Sequence, residues 1–164
     1  MLVAVLAYAA SRPNTFRIER TIAIAAPPEK IFALINDFHN WAAWSPWEKL
    51  DPAMTRTYTG AASGKGAAYE WDSKSKAGKG RMLLTRSNAS SLIMIQLDFL
   101  KPFEAHNIAE FSFVAQGAAT QVTWAMYGPQ ALLAKIMSLV FSMDRMVGKD
   151  FETGLANLKR LAET

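Results

Sequence analysis

Arg81-Met-Leu-Leu-Thr-Arg-Ser87, then Asn88-Ala-Ser90, then Leu92-Ile-Met-Ile-Gln-Leu-Asp-Phe-Leu100 read as two strands and the turn that joins them. Successive side chains of a strand point to opposite faces, so an apolar period of two marks a strand with one buried face. Ile93, Ile95, Leu97 and Phe99 share such a face, and Met82 and Leu84 alternate with Arg81 and Leu83. A connection as short as Asn88–Ser90 joins antiparallel strands, because parallel ones need a long crossover.

The same period extends outward in both directions. Residues 54–58, 67–73, 105–115 and 121–127 also read as strands. The stretches 60–66, 73–80, 101–102 and 116–117 between them are rich in Gly, Ser, Pro and Lys, which is turn chemistry. Inward parity falls on Tyr69 and Trp71, on Ala109, Phe111 and Phe113, and on Val122, Trp124 and Met126. An earlier strand, residues 16–25, sets Phe16, Ile18, Ile22 and Ile24 against Arg17, Glu19, Thr21 and Ala23.

Ala26-Pro27-Pro28 ends that strand and opens a short helix with Ile31, Phe32, Leu34 and Ile35 on its apolar face. Asn36-Asp37 ends it, and a second short helix carries Trp41 and Trp44 at i,i+3. After Pro129, Ile136, Val140, Met143, Val147, Phe151, Gly154, Leu158 and Ala162 recur every three or four residues, predicting a long amphipathic helix with a kink at 138–142. The expected fold is α+β: a seven-stranded antiparallel sheet wrapped around a long C-terminal helix, with two short helices after the first strand. An open sheet must cover one face, and only the final helix is large enough to do so.

Composition narrows the function. The chain has 164 residues, 51% of them hydrophobic and 20% charged, with a net charge of +4. This is ordinary for one globular domain, here expected over residues 13–164. Without cysteine there is no disulfide, thiolate zinc site or thiol nucleophile, and two histidines cannot make a histidine-rich metal site. Residues 1–12 begin with ten apolar residues, too few to span a bilayer alone. They read either as the remnant of a membrane anchor or as an apolar arm packed on the domain or on a neighbouring molecule. The first reading predicts membrane association through the N-terminus; otherwise the cytoplasm is expected.

The densest signal is Trp41-Ala-Ala-Trp44-Ser-Pro-Trp47, three of the five tryptophans within seven residues. Indole rings bury large areas, so this stretch must pack over a core edge or the mouth of a pocket. Its neighbours complete a pattern: Ala26-Pro27-Pro28 with Ile31-Phe32, Asp51-Pro52, Gly64-Lys-Gly66 with Tyr69-Glu-Trp71, Gly78-Lys-Gly80-Arg81-Met82, Phe99-Leu-Lys-Pro102, Thr120-Gln-Val-Thr-Trp124, and Phe151-Glu-Thr-Gly-Leu155 with Leu158-Lys159. In this order over residues 16–163 the chain resembles the START-like (SRPBCC) superfamily of helix-grip proteins, in its polyketide cyclase/dehydrase-like branch. The resemblance implies a deep apolar cavity between sheet and final helix. It implies no single activity, because one fold hosts carriers, cyclases, receptors and interaction modules.

The residues expected to line that cavity are Trp41, Trp44, Trp47, Tyr69, Trp71, Phe99, Asn107, Phe111, Phe113, Trp124, Met126, Met143, Val147 and Phe151. The alternative is that they fill a close-packed core. Asn107, Asp144 and Arg20 are the candidate polar anchors, each also readable as a satisfied structural group. His106 has outward parity, and His39 reads as a solvated histidine. The Gly64–Gly66 and Gly78–Gly80 loops lead from strand to strand, not into a helix, so they are hairpin turns and not phosphate cradles. The basic residues Lys65, Lys74, Lys76, Lys79, Arg81 and Arg86 lack a nucleic-acid module or interleaved aromatics. The expected function is binding or carriage of a small hydrophobic or amphipathic molecule, lipid or polyketide-like, with no cofactor and no metal. A membrane surface is the other expected partner. Alternatives are a cyclase/dehydratase-type enzyme using the same cavity and a protein-interaction module.

Overall fold

The computed structural model describes residues 1–164. Seven antiparallel strands form one sheet: Thr15–Ile24 (β1), Thr55–Gly60 (β2), Ala67–Asp72 (β3), Lys79–Asn88 (β4), Leu92–Lys101 (β5), Ala105–Gln116 (β6) and Ala119–Pro129 (β7). Their order is β1-β7-β6-β5-β4-β3-β2, a meander closed by the return of β1 to the far side of β7. The expected hairpin of residues 81–100 is formed, with Arg81 opposite Asp98 and Leu84 opposite Ile95. Its register shifts at Lys79/Gly80 and Leu84/Arg86. Such irregularities bend a strand and raise its twist, which curls the sheet around what it covers.

The helices are Leu2–Ser11 (α1), Pro28–Asn36 (α2), Leu132–Met137 (α3) and Met143–Ala162 (α4). Pro28 opens α2 at a position where the missing N–H costs nothing. The second short helix expected around Trp41 is a 3-10 helix, Phe38–Ala43, and a further 3-10 turn, Pro46–Lys49, follows it.

The expected kink in the C-terminal helix is a complete break over residues 138–142. Ser142 then caps α4, its hydroxyl accepting from the Arg145 N–H. The break resets the helical phase. Val140 and Met143, expected on the inner stripe, are 76% and 37% exposed, and α3 packs on α1 instead of on the sheet. No helix is long and apolar enough to cross a membrane.

α4 lies in the concave face of the sheet and divides the interior. Its C-terminal half brings Leu155, Leu158 and Ala162 into the main hydrophobic core, which also takes in Ile18, Ile31, Ile35, Ile93 and Val122. Leu155 and Leu158 are at most 1% exposed, and full burial of such side chains contributes about 1.5–3 kcal/mol each. The N-terminal half of α4, with Val147 and Phe151, faces the open end.

Candidate functional site: an apolar cavity between sheet and helix

The open end holds a cavity of about 290 Å³. Of the 17 residues lining it, 15 are hydrophobic, so its wall is mainly apolar. Trp41, Trp47, Leu50 and Met54 come from the segment between α2 and β2. Tyr69 and Trp71 come from β3, Met82 from β4, and Leu97 and Phe99 from β5. Ala109 on β6 and Trp124 and Met126 on β7 complete the sheet wall, and Val147 and Phe151 the helix wall. Exposure rises from floor to mouth: Trp41, Tyr69, Ala109, Trp124 and Phe151 are buried, Trp47, Trp71, Phe99 and Val147 half-buried, and Leu50 is exposed.

The tryptophan stretch proves to be both core edge and cavity wall. In a 3-10 helix residues three apart eclipse, which brings Trp41 and the C-capping Trp44 together with centroids 4.5 Å apart and rings tilted by 49°. Their indole N–H groups donate to Ile35 O at 2.9 Å and Leu34 O at 3.0 Å. Those carbonyls belong to the last turn of α2, where a helix leaves its own acceptors unpaired. Trp124 stacks on Phe151 at 4.1 Å and 9°, and Trp47 meets Trp124 edge-on at 5.4 Å. Two glycines make room for these rings. A Cβ at Gly154 would lie 2.8 Å from Trp124 Cζ3, and one at Gly80 would collide with the ring of its strand partner Trp71. Trp71 is further fixed by Nε1 donating to Ala77 O at 2.9 Å.

Nine of the expected lining residues meet at this cavity: Trp41, Trp47, Tyr69, Trp71, Phe99, Trp124, Met126, Val147 and Phe151. Five do not line it. Trp44 and Phe111 are fully buried one layer deeper, their rings 6.1 Å apart. Phe113 is in the solid core against Phe32. Met143 lies on the solvent side of the helix break. Asn107 is buried but lies in a separate, more polar hollow with His106 and Asp98, where Gly128 of β7 leaves space for its side chain.

The other polar candidates are engaged elsewhere. Arg20 donates to Asp144 Oδ2 at 3.0 Å and Glu152 Oε1 at 2.9 Å, clamping β1 to α4. Its guanidinium packs where Gly148 has no side chain. Asp144 is held below the usual carboxylate range by this hydrogen bond. His106 faces outward as expected, and hydrogen bonding first to Asp98 and then to Glu104 raises its pKa. His39 is exposed and stacks on Tyr58. Among the basic hairpin residues, Lys79 pairs with Asp72 and Arg81 with Glu70.

What the sequence reading missed is the polar corner of the wall, Ser45 and Glu48. Glu48 has a side chain only 7% exposed; Oε1 accepts from the Tyr69 hydroxyl at 2.6 Å and Oε2 from Arg56 Nε at 2.7 Å. Burial, and then Glu48, push the Tyr69 hydroxyl well above the usual tyrosine range. Ser-Pro-Trp-Glu has the spacing of a helix-capping pair. Here Ser45 makes no side-chain cap and Glu48 turns to β3, so local spacing would have suggested the wrong partners.

Residues 15–163 match the family model described as polyketide cyclase / dehydrase and lipid transport. Among curated proteins none matches this sequence. Solved structures share the fold at low identity. One is protein CV1439 from Chromobacterium violaceum (TM-score 0.63, 16% identity, 93% of this chain and 99% of that one). Another is the Aha1 dimer from Colwellia psychrerythraea (0.61, 16%, 90% and 96%). A third is the di-domain ARO/CYC BexL from the BE-7585A biosynthetic pathway (0.66, 16%, 96% and 53%). At such identity the likeness is one of fold.

Proposed function

We propose, from the premise that this chain belongs to the polyketide cyclase/dehydrase and lipid transport family, that it binds and carries one small hydrophobic or amphipathic molecule in the cavity between sheet and α4. The observation that carries this reading is the wall itself. Fifteen hydrophobic side chains line a volume of about 290 Å³ that the protein leaves unfilled, whereas protein interiors are ordinarily close-packed. Apolar surface facing a void forfeits contacts that a ligand would restore. The cyclase/dehydratase reading of the same cavity would fall to Glu48 and Tyr69, the hydrogen-bonded polar pair in its wall.

The test is a titration with the neutral dye N-phenyl-1-naphthylamine, followed by its emission and by tryptophan quenching. Saturable binding near one to one, weakened in Trp71→Asp, is the expected result. An unpaired charge in an apolar wall is strongly unfavourable. Linear, unsaturable uptake of the dye would sink the carrier reading.

A second reading concerns where the ligand is exchanged. α1 packs on α3, and Leu2, Val3 and Leu6 are exposed on the first, Leu133 and Met137 on the second, Val140 and Phe141 just beyond. This apolar surface supports docking on a lipid bilayer, with Arg12 and Arg145 nearby in sequence for anionic headgroups. Co-sedimentation with phosphatidylglycerol vesicles should be lost in Leu2→Glu/Leu6→Glu and in a chain lacking residues 1–11. That deletion should leave the melting temperature nearly unchanged, since it spares Arg12 O and Asn14 Oδ1, the acceptors of the buried Lys135 ammonium. Equal sedimentation of all three proteins would refute docking through α1.

A further inference from the structure

The cavity wall is apolar except at one corner. Ser45 and Glu48, three residues apart on the turn before β2, both line it, and Tyr69 faces them from β3. The hydrogen-bonding capacity left over at this corner is specific. A carboxylate oxygen accepts about two hydrogen bonds. Each oxygen of Glu48 has one partner, Tyr69 or Arg56, and so keeps one acceptor site. The single proton of the Tyr69 hydroxyl is committed, leaving that oxygen an acceptor. Ser45 is 2% exposed and caps nothing, so its hydroxyl is free to donate and accept. The unpartnered indole N–H of Trp124 exposes less than 1 Å² and is closed to a ligand. Charge follows the same layout: Glu48 lines the cavity, while Arg56, which pairs with its carboxylate, does not.

Resting on the carrier reading, we propose that Glu48, Ser45 and Tyr69 select a neutral hydroxyl-bearing amphiphile and reject an anionic one of the same shape. A ligand hydroxyl donates to Glu48 and accepts from Ser45, which satisfies both without new charge. A ligand carboxylate has no proton to give, and it brings a second negative charge beside a buried one. Like charges in surroundings of low dielectric repel strongly. Alcohols and phenols therefore fit this corner, and fatty or aromatic acids do not.

The test compares 2-naphthol with 2-naphthoate, which share a ring system and differ in the polar group. Both are titrated at pH 7 into the full chain by calorimetry and by displacement of N-phenyl-1-naphthylamine. Naphthol should bind at least tenfold tighter. Glu48→Gln should narrow the ratio to within about threefold, mainly by strengthening naphthoate. Because Glu48→Gln leaves Arg56 without its counter-charge, the double variant Glu48→Gln/Arg56→Gln provides the same comparison with both charges removed. Circular dichroism melting checks that each is folded. Equal affinities in the unaltered protein, which needs no variant, overturn the proposal. So does a naphthol preference that persists undiminished in both variants. Failure of the dye to bind saturably is a different result: it removes the carrier reading, and the selectivity with it. Dye binding without naphthol preference removes the selectivity alone.

Discussion

Phe111 on β6 and Trp71 on β3 are both inward-facing aromatics of the sheet, but their surroundings differ. Phe111 is fully buried, with Trp44 and Trp41 edge-on and Trp124 stacked on it at 4.9 Å. Trp71 is half-buried, with one side against Gly80 and another on the cavity. Phe111→Ala should therefore cost about 3–5 kcal/mol, the usual loss for a packed aromatic. Trp71→Ala should cost less, because part of its surface already lacks partner atoms, while lowering affinity for the dye. Urea denaturation measures both. A full core-sized loss at each of the two positions would mean that Trp71 faces no usable void. Parity alone could not separate these residues, since the alternation of a strand states which face a side chain takes and not how deep it lies.

At the scale of elements, the attachment of α4 to the sheet depends on charge as well as burial. Arg20 on β1 holds Asp144 in the first turn of α4 and Glu152 two turns on. The folded pKa of Asp144 is depressed, so its contribution is fully present above the ordinary carboxylate value near 4 and is lost as pH falls through the lowered folded value. Both carboxylates are well exposed, so the effect is local and modest. Amide exchange in the first turn of α4 should quicken below pH 4 relative to Leu155 and Leu158, after correction for intrinsic rates. Asp144→Asn should show the faster exchange already at pH 7. Identical pH profiles for the two proteins would assign the attachment to packing alone. Arg20 and Asp144 were each legible as a candidate polar anchor or a satisfied structural group. Their pairing was not, because 124 residues separate them. The break before α4 was legible as a kink, but its consequence for Met143 depended on where the helical phase restarts.

For the whole molecule, a filled cavity should stabilise the fold, because a ligand that binds only the native state adds its binding free energy to it. At a free dye concentration of 100 times its Kd this is about 2.7 kcal/mol. For a chain of this size the expected rise in Tm is roughly 5–10 °C, read by scanning calorimetry. Saturable binding with no rise would place the dye on surface that survives unfolding. The sequence by itself determined the seven strands, their antiparallel pairing, their inward faces and the helix that covers them. Those properties are local: a period of two, a short turn and an amphipathic stripe each act over a few residues. Only the tertiary structure decided which inward side chains became solid core and which became cavity wall. Trp44 and Trp47 differ in this respect although three residues apart, as do Phe111 and Trp124 although paired on adjacent strands. Depth depends on the gap between the sheet and α4. That gap is set by how distant segments pack: the curl of β4 and β5, the restart of α4 at Met143, and the turn that carries Glu48 to within 2.6 Å of Tyr69, 21 residues further along the chain.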